Sequence, residues 1–387
     1  MIRVLMVSDV YFPRVNGVST SMQTFRSALA GHDVQVDLVV PRYDDEAESA
    51  GIVRVPGRKL PNDPEDRLVS WRRMHQAVSA AAAGCDLIHI QTPFVAHYAG
   101  VAAARALNLP VVVTYHTLFE EYLQHYVPVL PATWLRGLAR RFSRRQCNAV
   151  DAVVVPSSAM AGRLTAYGVT SSLAMVPTGI PLARFARGDG AAFRTAHSIG
   201  PDRPVALFVG RVAHEKNIGF LLEALVHARR RCPDILLLIA GEGPARSDLG
   251  QQAAWLGITD AVRFIGYLDR ERELLDCYAA ADLFVFSSRT ETQGLVLLEA
   301  LASGLPVVAL AAMGTADILI DAPGCHAPPD DAGAFGHVVG DLLADRAGCQ
   351  LLADQARQTA SRWSDLTMAR QLAQFYRQTI ARRATGS

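Results

Sequence analysis

The chain alternates short, nearly continuous apolar runs with longer helical stretches. In the first half the runs are Val4–Val7, Val34–Val40, Leu87–Ile90, Val111–Thr114 and Ala152–Val155. In the second half they are Val205–Val209, Ile235–Ala240, Val262–Ile265, Leu283–Phe286 and Val307–Leu310. A strand exposed on one face alternates apolar and polar residues. A strand buried on both faces of a parallel sheet does not, and these runs read as the second kind. Segments of helical character lie between them, among them Ser21–Ala30, Val69–Ala83 and Pro131–Cys147. The pattern predicts an α/β fold of two doubly wound, Rossmann-like parallel-sheet domains. The stretch from Leu182 to Arg203 is rich in Gly, Ala and charge and weakly periodic, so the join is placed there. That gives domains over 1–183 and 204–365. Residues 366–387 follow as a C-terminal helix, with Leu372, Phe375, Tyr376 and Ile380 at helical spacing.

Composition bears on partners and compartment. Lys plus Arg is 38 against 37 for Asp plus Glu, so no global charge draws the chain to nucleic acid. The six cysteines are scattered, without a CxxC pair or a zinc-ligand spacing, which argues against a disulfide framework and fits a reducing compartment. The N-terminus reads as a strand and lacks a signal-peptide pattern. The longest uncharged apolar stretch, Ala300 to Ala316, is broken by Gly304, Pro306 and Gly314, so no membrane-spanning helix is expected. A cytosolic protein is the expectation, with contact to a membrane surface left open.

Ligands of doubly wound sheets bind beyond the carboxyl ends of the strands, so the strand-end loops carry the functional signal. After the first strand, Asn16-Gly17 opens a helix. It reads either as an ordinary turn or as a backbone that lets an anion approach a helix N-terminus. Thr114-Tyr115-His116 ends another strand, where His116 is either a structural histidine or a hydrogen-bonding and acid–base group. Gly210-Arg211-Val212-Ala213-His214-Glu215-Lys216-Asn217 follows Val205–Val209. Two cations at a helix start suit a diphosphate; the alternative is a pair of solvated surface charges. Glu215 stands where a phosphate-binding P-loop needs its second glycine. Gly241-Glu242-Gly243-Pro244 begins like a dinucleotide fingerprint, but Arg246 replaces the third glycine. A tight turn with Pro244 at the first helical position fits better, and a dehydrogenase is excluded.

The most informative loop is Ser287 to Ala300. Glu291 lies in the loop, Gly294 precedes an apolar helix, and Glu299 lies on that helix about one and a half turns later. Gly294 frees backbone N–H groups for phosphate oxygens, and the two carboxylates suit sugar hydroxyls.

Gly-Arg-x4-Lys-Asn followed by Glu-x7-Glu, on two α/β domains, resembles the retaining glycosyltransferases of the GT-B fold in the large family 4. The resemblance runs from the Asn16-Gly17 loop to the C-terminal helix. It implies two lobes facing a cleft, with the acceptor on the first and the nucleotide sugar on the second. Arg211 and Lys216 would then bind the donor diphosphate, and Glu299 the ribose. Glu291 would hold the transferred sugar, with Gln293, Gly294 and Leu295 lining sugar and phosphate. His116 would contact the donor sugar near the reacting centre, Gly17 would close over the phosphates, and Gly266-Tyr267-Leu268 would cradle the base. The last helix would cross back to the first domain. The family implies no metal and no cofactor, in keeping with the lack of an Asp-x-Asp motif. It also implies attack by the acceptor on the face from which the nucleoside diphosphate leaves, without Glu291 acting as nucleophile.

From Tyr122 to Val150 the chain has no acidic residue. Within it Trp134, Leu135, Leu138 and Phe142 combine with Arg136, Arg140, Arg141, Arg144 and Arg145 on one helix. This reads as a membrane-surface element or as a core-packed helix with a solvated basic face. With the aromatic segment Thr117 to Tyr126 and the Thr290–Gly294 block, it resembles the subgroup that glycosylates diacylglycerol. The expectation is transfer from a nucleotide sugar such as UDP-glucose to a membrane lipid, at the inner face of the membrane. A GDP-mannose-dependent mannosyltransferase and a non-catalytic sugar-binding protein are the competing readings.

Overall fold

A computed structural model describes residues 1–60, 63–116 and 132–385. The chain forms two compact units. Residues 1–179, joined by the C-terminal segment from Asp365, make the first; Ile180–Ser364 make the second.

The first unit is built on an eight-stranded sheet. Its strands are β1 (Ile2–Val7), β2 (Val34–Arg42), β3 (Ile52–Leu60), β4 (Asp63–Val69), β5 (Leu87–Ile90), β6 (Val111–Thr114), β7 (Ala152–Val155) and β8 (Ser172–Met175), in the order β4-β3-β2-β1-β5-β6-β7-β8. The central strands β1, β5, β6 and β7 are the continuous apolar runs, buried along most of their length. All neighbours pair in parallel except β3 and β4, an antiparallel hairpin at one edge. That hairpin corrects the expectation of a purely parallel sheet. It also shortens the helix expected from Val69, because Val69 closes β4. The helix runs over Trp71–Ala81 instead, with the Ser70 side chain accepting from the Arg73 N–H at its start.

The C-terminal helix Asp365–Thr385 packs on this same unit. Met368, Leu372, Phe375 and Tyr376 join a core with Met22, Phe25 and Leu29 of helix Gly17–Leu29 and with strand residues such as Val4 and Leu38. Each such side chain contributes about 2 kcal/mol by leaving water. Inside the core Tyr376 bonds His89 Nδ1 through its hydroxyl at 2.6 Å, so the buried polar atoms of both are satisfied.

The second unit carries a six-stranded parallel sheet. Its strands are β9 (Val205–Val209), β10 (Leu236–Ala240), β11 (Val262–Gly266), β12 (Leu283–Phe286), β13 (Val307–Ala309) and β14 (Cys325–His326), in the order β11-β10-β9-β12-β13-β14. The stretch from Leu182 to Arg203, read as a join, belongs to this unit and is no spacer. It forms helices Leu182–Phe185 and Gly190–Ala196, and the latter packs on helix Glu273–Ala280. Arg194 fixes it by an ion pair to Asp282 at 2.8 Å. All six cysteines are free thiols.

Candidate functional site

In the second sheet the strand order reverses between β9 and β12, which lie side by side. A crevice forms at such a reversal because successive crossovers leave on opposite sides. The loops that follow these two strands hold Arg211 and Lys216 in one case, and Glu291, Gln293 and Gly294 in the other.

Several contacts lock the two loops together. Asn217 Nδ2 donates to the Ser287 carbonyl at 3.2 Å, and Ser287 Oγ donates to the Asn217 carbonyl at 2.9 Å. Ser288 Oγ reaches the Glu215 carbonyl at 3.4 Å. Asn217 takes the left-handed conformation (φ 55°), which asparagine tolerates, and turns the chain into helix Ile218–Ala228. Lys216 thereby meets Glu291: Nζ lies 2.5 Å from Oε1, with about a fifth of each side chain exposed. Arg211 is exposed at the start of its loop, and its guanidinium carries no ion pair among the described residues. The loop leans on the turn after β10, where the Val212 N–H donates to the Glu242 carbonyl and the Ala245 N–H to Val212. A Cβ at Gly241 would stand 2.0 Å from the Gly210 carbonyl oxygen, so this close approach requires glycine. The structure corrects the reading of Pro244, since the helix here starts at Arg246.

Gly294 caps helix Leu295–Ala302 with φ 95°, a conformation that side chains disfavour. Gln293 and Gly294 are buried and Leu295 is partly so. Glu299 lies one turn into the helix and is 2% exposed. One of its oxygens is ion-paired to Arg270, and the other accepts from the Tyr278 hydroxyl at 2.9 Å. Burial and the Glu299 charge hold the Tyr278 phenol well above its ordinary range. Gly266 ends β11 and accepts from the Gly241 N–H at 2.7 Å. Tyr267 beyond it is exposed, while Leu268 packs partly into the core.

In the first unit the reversal lies between β1 and β5. The loops that follow are joined by Asp9, which accepts from Thr92 Oγ1 at 2.7 Å and from the Ala96 N–H at 3.0 Å. Burial pushes the Asp9 carboxyl up to about 6, against these hydrogen bonds. Gly17 begins its helix behind Asn16, whose side chain accepts from the Ser19 N–H at 2.9 Å. A side chain at Gly17 would meet nothing within 4 Å among the described residues, so local packing does not demand this glycine. His116, past the end of β6, bonds Gln91 Oε1 through Nε2 at 2.9 Å. With that acceptor the proton sits on Nε2, and Nδ1 is left to accept. Burial lowers His116 to about 4, so the ring is neutral at pH 7.

The basic helix runs over Ala132–Cys147. Among its described side chains, Ala139, Ser143, Gln146 and Cys147 are buried. Trp134 and Leu138 are 79% and 61% exposed, and Phe142 is half-buried. Arg136, Arg140, Arg141, Arg144 and Arg145 are all exposed, with Arg140 stacked over the Tyr167 ring. Trp134 and Leu138 thus stand with the arginines and not in the core. The aromatic segment Thr117 to Tyr126 lies outside the described residues. No described helix is long and apolar enough to cross a membrane. Among the described residues no group of three His, Cys, Asp or Glu side chains could hold a metal ion.

The sequence reading missed Arg270, Tyr278, Gln91 and the serine clamp. Arg270 sits in the charged run Asp269–Arg272, which looks like solvated surface. Ser287-Ser288 at a strand end was the one available signal for the clamp.

The pattern described as Glycosyl transferases group 1 matches residues 190–361, and that of Glycosyltransferase Family 4 matches residues 15–184. The chain is 34% identical over 319 residues to the alpha-monoglucosyldiacylglycerol synthase of Streptococcus pneumoniae, covering 79% of this chain and 70% of that protein. It is 30% identical over 365 residues to a GDP-mannose-dependent alpha-(1-6)-phosphatidylinositol monomannoside mannosyltransferase of Mycolicibacterium smegmatis, covering 88% and 89%. Among solved structures, sucrose-phosphate synthase from Thermosynechococcus elongatus superposes with a TM-score of 0.77 at 24% identity, over 98% of this chain and 100% of that one. Anabaena HepE in complex with UDP-glucose does so with 0.74 at 18%, over 98% and 100%.

Proposed function

The chain belongs to family 4 of the retaining glycosyltransferases, with the GT-B fold, and on that premise we propose that it transfers glucose from UDP-glucose to a membrane lipid such as diacylglycerol. Family membership makes it a transferase and removes the reading as a non-catalytic sugar-binding protein.

The observation that carries the proposal is the pairing of Lys216 with Glu291 across the two clamped loops. It brings a cation for phosphate and a carboxylate for sugar hydroxyls to one point. In the proposed reaction the bond from sugar C1 to the β-phosphate oxygen breaks, a bond from C1 to the acceptor oxygen forms on the same face, and the acceptor hydroxyl proton passes to the departing phosphate oxygen. Charge grows on the leaving diphosphate. Arg211, Lys216 and the N–H groups at the Gly294 helix start would stabilise it. Glu291 would orient the sugar, Gln293 and Leu295 would line it, and Glu299 would hold the ribose. Gly266, Tyr267 and Leu268 would cradle the base. Gly17 would leave room over the phosphates, and neutral His116 would accept from a sugar hydroxyl through Nδ1.

Two observations support a lipid acceptor: Trp134 and Leu138 are exposed among arginines, and a relative at 34% identity is named an alpha-monoglucosyldiacylglycerol synthase. A mannosyl donor is the second reading, favoured by the mycobacterial relative. The two are separated by incubating purified protein with vesicles containing diacylglycerol and either UDP-glucose or GDP-mannose, and reading the lipids by mass spectrometry. Hexosyl-diacylglycerol from UDP-glucose alone is expected. Product only from GDP-mannose selects the second reading. Turnover on a soluble glycan with none on lipid overturns the acceptor.

A further inference from the structure

We infer that Arg270 covers the Glu299 carboxylate and must leave it before a nucleotide ribose can be gripped there, so that Arg270 sets the affinity of the donor site. The inference rests on the reading of Glu299 as the ribose carboxylate.

The two partners of the ion pair differ in access. Glu299 is 2% exposed and fixed within helix Leu295–Ala302, flanked by fully buried Leu298 and Ala300. The Arg270 side chain is 26% exposed and is the outer member. The remaining Glu299 oxygen is occupied from within by the hydroxyl of Tyr278, which has no exposed surface. A ribose diol offers two O–H donors and needs carboxylate lone pairs that face outward. Those lone pairs lie under the guanidinium.

Arg270 can vacate the position without disturbing the fold. Its backbone is held independently: Asp269 accepts from the N–H groups of Glu271 at 2.8 Å and Arg272 at 3.0 Å. Arg184 also donates to the Arg270 carbonyl. The turn therefore persists while the long side chain swings toward solvent. The ion pair keeps a buried negative charge compensated, which is the arrangement that costs least. A bound ribose exchanges that ion pair for hydroxyl hydrogen bonds, so the donor is held less tightly than the pocket would otherwise allow.

Isothermal titration calorimetry with UDP, GDP and 2′,3′-dideoxy-UDP tests this on wild type, Arg270→Met and Arg270→Lys. Arg270→Met is expected to bind UDP about fivefold more tightly than wild type, the scale of one partly exposed charge pair. Its affinity for the dideoxy nucleotide should change less. Arg270→Lys, which keeps the charge without the planar fork, should fall between, and it serves alone if the Met variant does not melt cooperatively. Unchanged or weaker UDP binding in these variants overturns the inference while leaving the ribose reading intact. Equal binding of UDP and dideoxy-UDP by wild type overturns the ribose reading itself. Failure of wild type to bind UDP or GDP overturns both.

Discussion

Lys216 and Glu291 stand 75 positions apart in the chain, yet Nζ and Oε1 are 2.5 Å apart. They meet because β9 and β12 are neighbours and the serine clamp ties the loops that follow them. In this pair each charge compensates the other, although the two side chains have different tasks in the proposed reaction.

That division is measurable. Lys216→Ala should weaken UDP binding by about tenfold or more, the loss of one charge-assisted contact to phosphate. Glu291→Gln should leave UDP affinity within about twofold and instead lower turnover of the sugar nucleotide, because UDP has no sugar for Glu291 to orient. Calorimetry for UDP and steady-state rates for the sugar nucleotide check both. Equal loss of UDP affinity in the two variants would show that Glu291 acts only by positioning Lys216.

The exposed side of helix Ala132–Cys147 carries a prediction about vesicle binding. Replacing Arg136, Arg141, Arg144 and Arg145 by Ser should abolish co-sedimentation with anionic vesicles, each arginine contributing about 1 kcal/mol. Arg140 is left out because it stacks on Tyr167. Trp134→Ser should weaken binding to neutral and anionic vesicles alike, since its contribution is apolar burial. Undiminished sedimentation of the arginine variant would remove the membrane role of this helix.

Stability should fall as the solution becomes acidic, and His97 allows the effect to be dissected. Burial lowers His89 to about 3 and His97 and His116 to about 4, each from 6.5. Between pH 6.5 and 4 the unfolded chain therefore binds more protons at these sites than the native one. Stability is complete above 6.5 and is lost as the pH falls, by up to about 1.4 kcal/mol per unit for each histidine. Asp9 acts in the opposite sense. Its carboxyl rises from 3.8 to about 6, so the native state binds the extra proton in that window, offsetting about one histidine. The Nδ1 atom of His97 is buried without a hydrogen-bond partner among the described residues, so His97→Phe should fold. Urea unfolding at pH 7 and pH 5 should show a smaller difference in this variant than in wild type. An unchanged difference would mean that His97 does not titrate on unfolding.

The architecture was legible because the central strands are apolar on both faces. Val205–Val209 and Leu283–Phe286 stand out whatever their surroundings. The missed strands lie toward the sheet edges, where one side faces water. β3 contains Pro56, Gly57 and three cations, β4 is largely charged, and β14 has only two residues. Arg211, Lys216 and the Glu-x7-Glu spacing were legible because they are local patterns. Arg270 was not, because its meaning depends on a partner 29 positions away that is visible only after folding. The basic helix was half legible: composition gave Trp134 and its arginines, but which side faced the core depended on Ala139 and Ser143, two small residues with little hydrophobic signal.

Because the Asp365–Thr385 helix supplies Leu372 and Tyr376 to the core of the first unit, that unit is assembled from segments on both sides of Ile180–Ser364. A chain growing on the ribosome has therefore made all of Ile180–Ser364 before its opening domain can be finished. Until then Met22, Phe25 and His89 wait without their final neighbours, and any transcript cut short after Ser364 would release a protein whose first half is incomplete while its second half is whole.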